Sequence, residues 1–325
     1  MTEILSLAGA NLLSPIILSF ALGLAAALAR SDLTIPEAVA KGLSIYLLFA
    51  IGFKGGAAVA AHGVGATLLL TVAAGILLSF ALPLVAFGLL RAMTGLSRLD
   101  AAAVAAHYGS ISIVTFVAAT SVLESRGIAS EGYMVAVAAA MEAPAILSAL
   151  WLVARGGASG RMEPGLMREI LLNGSIVLLV GSFAIGLVTG ERGLAEIAPF
   201  IVAPFKGVLC LFLLDMGLVA GRGLRQSRGV LTGGVVAFGL LMPVIGSLAG
   251  LALGLAIGLS PGGVVLLMTL AASASYIAVP AAMRVALPEA NPAIYLTLSL
   301  GVTFPFNLTL GIPLYMALAT MATGG

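Results

Sequence analysis

From Gly229 to Met283 the sequence carries no Asp, Glu, Lys or Arg for 55 consecutive residues. A bilayer core takes about 20 apolar residues per helical crossing, so this stretch is read as two spans, near 229–257 and 262–284. Comparable runs lie near 11–29, 37–60, 64–90, 99–123, 131–153, 169–189, 197–220 and 293–318. With 61% hydrophobic and 9% charged residues, a chain of 325 residues has too little polar surface for a water-soluble domain. The expected fold is an all-α membrane protein with ten transmembrane helices. The N-terminus has Glu3 and no basic segment, so Asn11–Ala29 is read as a first span and not a cleaved signal. A net charge of +2 offers no basic patch to nucleic acid, and the single Cys210, in an apolar run, reads as a buried inert thiol.

Four features recur in order at nearly one offset. Ser19-Phe-Ala-Leu-Gly-Leu24 returns as Ser182-Phe-Ala-Ile-Gly-Leu187, Lys41-Gly42 as Lys206-Gly207, Ser110/Ser112 as Ser273/Ser275, and Pro144 as Pro305. The order predicts a 5+5 internal repeat. Residues 1–155 form the first five-helix unit, 156–168 a short cytoplasmic linker, and 169–325 the second unit. Five spans per unit make the second inverted, the architecture of many secondary transporters. The Lys/Arg bias sets orientation. Arg30, Lys41, Arg91, Arg98, Arg155, Arg161, Arg168, Arg222, Arg225, Arg228 and Arg284 fall on one side, and Lys54, Arg126, Arg192 and Lys206 on the other. Both termini are therefore expected outside. Lys54 and Lys206 are expected to snorkel from span ends. His62 is expected in a solvated outer loop.

The Ser-x-Ser pairs sit midway along spans 4 and 9. Residues two apart share a side in extended backbone and nearly oppose each other on a helix, so the pairs predict local unwinding. Gly109 permits it in one copy, and Pro280 disturbs the helix in the other. Unwound backbone at membrane depth needs a protein or aqueous surround. A helix restarting there aims free N–H groups at the midplane, which suits a small, singly charged anion, while the carbonyl ends suit a hard cation such as sodium. Glu142, just before Pro144, has two readings: a cation or proton site, or a protonated acid bonded to a carbonyl that Pro144 frees. Asn307 stands near the matching place in the second unit. Asp215 is either a second cation site or a packing contact, and His107 either a proton shuttle or a hydrogen-bonding group within the crossing.

Several segments together resemble the sodium-dependent bicarbonate transporters first known from cyanobacteria. They are Ile35-Pro-Glu-Ala38, Ile51-Gly-Phe-Lys-Gly-Gly56, Gly109-Ser-Ile-Ser112, Met141-Glu-Ala-Pro144, Ala271-Ala-Ser-Ala-Ser-Tyr-Ile-Ala-Val-Pro280 and Pro288-Glu-Ala-Asn-Pro292. The resemblance spans nearly the whole chain, and the architecture it implies is similar to that of bile-acid sodium symporters. It implies sodium-coupled uptake of bicarbonate, two broken helices crossing at the site, a homotrimer in a bacterial inner membrane, and a PII-like regulatory partner. Gly109, Ser110, Ile111, Ser112, Ser273, Ala274, Ser275 and Tyr276 are then the expected anion-binding residues. Ser112, Thr115, Glu142 and Asn307 are the expected sodium ligands, with sodium the coupling ion and no other cofactor. The cyanobacterial pattern at the second crossing is Ser-Ser-Ser-Asp, where this chain has Ser273, Ala274, Ser275 and Tyr276, and Glu142 stands where the family has Asp. The linker between the units is shorter than in cyanobacterial members.

Two other functions match parts of the same pattern. A proton-coupled carrier of another small carboxylate would use Glu142. An intramembrane serine protease would need a Ser on one helix bonded to a His on another, and His107 lies only three residues from Ser110.

Overall fold

The computed structural model describes residues 13–63, 65–154, 172, 174–226, 231–277, 279–280, 282–283 and 287–323. The regular elements among these residues are all helices, with no strand among them. The helices are α1 (Pro15–Leu28), α2 (Glu37–His62), α3 (Ala66–Met93), α4 (Arg98–Gly109), α5 (Ile113–Ser125), α6 (Met134–Ala140) and α7 (Glu142–Ala154). After them come α8 (Gly174–Ile201), α9 (Phe205–Gln226), α10 (Gly233–Ile257) and α11 (Pro261–Ala272), then a last helical run, α12 (Pro292–Thr323). The expected linker 156–168, with Arg155, Arg161 and Arg168, lies outside the described residues, as do Arg228, Arg284 and the side chain of His62.

Among the described residues eight helical segments are long and apolar enough to cross a membrane, and α1 and α11 are shorter apolar helices in the places of spans 1 and 9. The protein is thus a multi-pass membrane protein. Local chemistry explains where its helices start. Ser14, Ser97, Thr232 and Ser260 each cap a helix by accepting a backbone N–H from the first turn, and Pro15 and Pro261 follow at the first helical position. Gly258, at φ 78°, ends α10 in the left-handed region. Gly190, at φ 59°, kinks α8. Span 5 is interrupted at Met141, between α6 and α7. The expected disturbance around Pro305 takes the form of two π-helical segments, Ser299–Thr303 and Asn307–Gly311, on either side of Phe304–Phe306.

The helices sort into two bundles. In one, α2 packs along α8 and α1 along α9. Small residues set those crossings: a Cβ on Gly23 or Gly217 would run into the carbonyls of Leu214 or Phe20, and one on Gly56 or Gly186 into those of Phe183 or Phe53. In the other bundle α3 packs on α4 and α7, α10 packs on α11, and α3 meets α10. The apolar window of the segment Arg98–Ser125 is entirely buried, against 17% for that of α8, so the interrupted crossing is the centre of the molecule and α8 its rim. Arg222 and Arg225 of α9 reach the end of α1. They donate to the carbonyls of Leu33 (3.0 Å) and Ala27 (2.9 Å), closing the C-terminal end of α1. Cys210 is only partly buried, a correction to the buried thiol expected from its apolar neighbours.

Candidate functional site

Two twelve-residue helices, α4 and α11, lead into the site and are near copies. Each begins at a serine cap, Ser97 at φ −58°, ψ 157° and Ser260 at φ −59°, ψ 158°. Each ends at a serine in extended backbone, Ser110 at φ −87°, ψ 165° and Ser273 at φ −86°, ψ 163°. The unwinding that the Ser-x-Ser pairs predict is therefore present in both. Gly109 is required for more than flexibility, because a Cβ there would strike the Pro83 ring and the Ser79 carbonyl of α3. In the second copy the break covers Ser273–Ile277, upstream of Pro280, which already lies in helical backbone.

The two breaks are tied to each other. The Ser112 N–H donates to Ser273 Oγ at 2.9 Å, and the Ser275 N–H donates to the His107 carbonyl at 2.8 Å. Buried backbone amides freed by unwinding thus find partners in the opposite break. Ser112 also caps α5: its Oγ accepts from the Thr115 N–H (3.2 Å) and from Thr115 Oγ1 (2.9 Å). Ser275 Oγ accepts from the Val279 N–H at 3.4 Å.

The four hydroxyls do not all face one space. Ser112 and Ser275 line a narrow cavity of about 10 Å³ together with Glu142, Ile111, Tyr276 and Ile277. That is roughly the room one water needs. Ser110 instead donates to Glu142 Oε2 at 2.7 Å, and Ser273 donates to the Leu270 carbonyl at 2.9 Å. Ser110 and Ser273 therefore hold the walls, while Ser112 and Ser275 face the interior. Ala274 is buried in the second break. The far wall comes from the other bundle, through Leu48 of α2 and Ile176 and Leu179 of α8, so the cavity sits between the two bundles. Those three aliphatic residues carry no chemical signature in the sequence and were not foreseen as part of the site.

The remaining candidates are placed as follows. Glu142 is the first residue of α7 and is 7% exposed, with Ser110 as its hydrogen-bond partner. Asn307 stays outside the cavity: its amide donates to the Ala272 carbonyl (2.9 Å), the end of α11, and its oxygen accepts from the Tyr315 hydroxyl (2.7 Å). The structure groups Ser112, Thr115 and Glu142 with the first break and Asn307 with the second. Asp215 is buried in α9 and feels the charge of Arg222, away from the cavity. His107 is fully buried, bonds through Nδ1 to the Ala103 carbonyl at 2.6 Å, and stacks on Tyr295 with centroids 4.4 Å apart. Ser110 is spent on Glu142, so the Ser–His contact that a protease requires is not made between these two residues. Lys54 does not snorkel. It crosses from α2 to Glu124 of α5 at 2.8 Å and lies 5.3 Å over the Phe205 ring.

The profile of the Na+-dependent bicarbonate transporter superfamily matches residues 15–320. The chain belongs to this family. No curated protein matches the sequence. The match takes in both breaks, Glu142 and both bundles, and membership in a transporter family points away from an enzyme.

Proposed function

We propose that the protein is a sodium-coupled symporter that brings bicarbonate, or a similar small monoanion, across a bacterial inner membrane by alternating access. The observation that carries this reading is the pair of interrupted crossings, bonded to each other and facing a cavity whose opposite wall belongs to a separate bundle. At the start of α5 the cap takes the Thr115 amide, and a helix start leaves the amides of its first residues, Ile113 and Val114, to a ligand. With the hydroxyls of Ser112 and Ser275 these suit an anion of single charge. Glu142, Ser112 and Thr115 supply oxygens for sodium beside it, and the cation offsets the charge of the bound anion.

The 5+5 inverted repeat supports the same mechanism. α4 starts near Leu152, where Arg98 donates to that carbonyl, while α11 starts near Ala129 and Glu131, at the other end of the α6–α7 segment. The packing also exchanges: α1 with α9 in one pair, α8 with α2 in the other, with Gly23 and Gly186, 163 residues apart, at matching close approaches. Two clefts flank the site. One, of about 270 Å³, is crossed by the Lys54–Glu124 pair and stops at Phe116 and Val117. The other, of about 500 Å³, holds Arg222 and reaches Tyr276 and Ile277 at the break itself. With Arg222 assigned to the cytoplasmic side by the charge bias, the larger of these clefts opens inward and stops at Tyr276, and the Lys54–Glu124 pair spans the outer one.

The test is uptake of radiolabelled bicarbonate into proteoliposomes under an inward sodium gradient. Uptake is expected with sodium and not with potassium. Equal uptake with both cations rejects sodium coupling. The specific burial of Glu142, whose hydrogen bond is to a neutral hydroxyl, favours the proton-coupled reading in that event.

A further inference from the structure

The bend after the second break places one aromatic ring where three features meet. Tyr276 and Ile277 line both the narrow cavity and the cleft on the Arg222 face, so this bend lies between them. The Tyr276 ring is 7% exposed and packs edge-on against Phe304, with centroids 5.3 Å apart. Phe304 in turn meets Phe20 edge-on at 5.4 Å, and Phe20 belongs to α1, in the opposite bundle. A displacement of α1 against α12 therefore reaches the Tyr276 ring through one intervening side chain. The Tyr276 hydroxyl is buried beside Ser112 yet makes no hydrogen bond of regular geometry. A buried phenol whose one polar neighbour is poorly aligned has a donor that a water or a ligand oxygen can complete.

Resting on the transport reading above, we propose that Tyr276 is both the door between the site and the Arg222-side cleft and a specificity residue, whose hydroxyl donates to the bound anion alongside Ser112. The ring closes the cavity to little more than one water, so an anion enters only as the ring turns aside with the bundle contact at Phe20. The hydroxyl then contributes a donor that a small oxyanion can accept. A larger or purely apolar solute gains nothing from it. Tyr276 thereby couples recognition to closure.

Two variants and one reporter test this. The background carries Cys210→Ala and the reporter Ile113→Cys, which lines the cavity. Tyr276→Phe keeps the ring and its packing and is expected to raise KM for bicarbonate about tenfold with kcat little changed, the loss of one hydrogen bond to a charged ligand. Tyr276→Ala removes the door and is expected to speed labelling of the reporter, by a membrane-impermeant thiol reagent added from the Arg222 face, at least tenfold. Reagent added from the Lys54 face should show no such gain. An unchanged KM in Tyr276→Phe overturns the recognition half, and equal labelling rates with Tyr and Ala overturn the door. If the parent protein itself carries no bicarbonate, the transport reading fails, and the labelling comparison still decides whether Tyr276 is the door.

Discussion

Neutralising Lys54 or Glu124 should unlatch one face of the protein. The pair joins α2 to α5 across the two bundles at 2.8 Å, with the side chains 28% and 43% exposed. Partly exposed ion pairs contribute about 0.2–1 kcal/mol, so losing this one shifts a two-state equilibrium by a factor of about 1.4 to 5. The ring of Phe205 beneath Lys54 places the value toward the upper end. The shift can be read as the labelling rate of Thr120→Cys, a residue lining the 270 Å³ cleft behind the pair, by an impermeant thiol reagent in the Cys210→Ala background. Lys54→Gln and Glu124→Gln should each raise that rate about two- to fivefold. The double variant should show no further gain, since the second change removes a partner already idle. The exchange Lys54→Glu with Glu124→Lys should recover most of the parent rate. High salt should raise the parent rate and leave the Gln variants unmoved. Unaltered rates in the single variants, or effects that simply add, would refute the idea that this contact holds the cleft shut.

Other substitutions test the site itself. Ser273→Ala leaves the buried Ser112 N–H without its acceptor and should cost about 1–3 kcal/mol, seen as earlier unfolding in detergent than Ser275→Ala, whose hydroxyl accepts one long bond. Gly109→Ala forces a methyl against Pro83 and should destabilise by about 1–3 kcal/mol, while Gly88→Ala, with open space around it, should be neutral in the same melt. Glu142→Gln should abolish the sodium dependence of uptake while the protein still elutes as a folded species, because Gln keeps a partner for Ser110 but not the charge. Native mass measurement should find three copies of the 32.5 kDa chain, and a monomer at working concentration would overturn the trimer implied by the family resemblance.

Much of the frame was legible because bilayer physics leaves few choices. Apolar runs of membrane length gave most of the helices within a few residues, and the paired serines stand at both breaks, where Ser110 and Ser273 lie in extended backbone. The finer division was not legible. Nothing in a Ser-x-Ser pattern says that Ser110 turns to Glu142 and Ser273 to Leu270, leaving Ser112 and Ser275 at the cavity. That choice is made by which helix packs across each break. Asn307 donates to the Ala272 carbonyl and accepts from the Tyr315 hydroxyl, at the start of a π-helical segment that no periodicity announces. Lys54 was misread for a related reason. A lysine near a span end snorkels unless a carboxylate from another helix is in reach, and Glu124 lies 70 positions away in sequence.

One anion and one cation are proposed to share the space between the two breaks, and equilibrium binding tests this most directly. In detergent-solubilised protein, the affinity for radiolabelled bicarbonate should rise with sodium, and the affinity for radiolabelled sodium should rise with bicarbonate by the same factor, as linkage demands. Both effects should vanish in Ser112→Ala combined with Ser275→Ala. Bicarbonate binding that ignores sodium, or that survives loss of both hydroxyls unchanged, would contradict it.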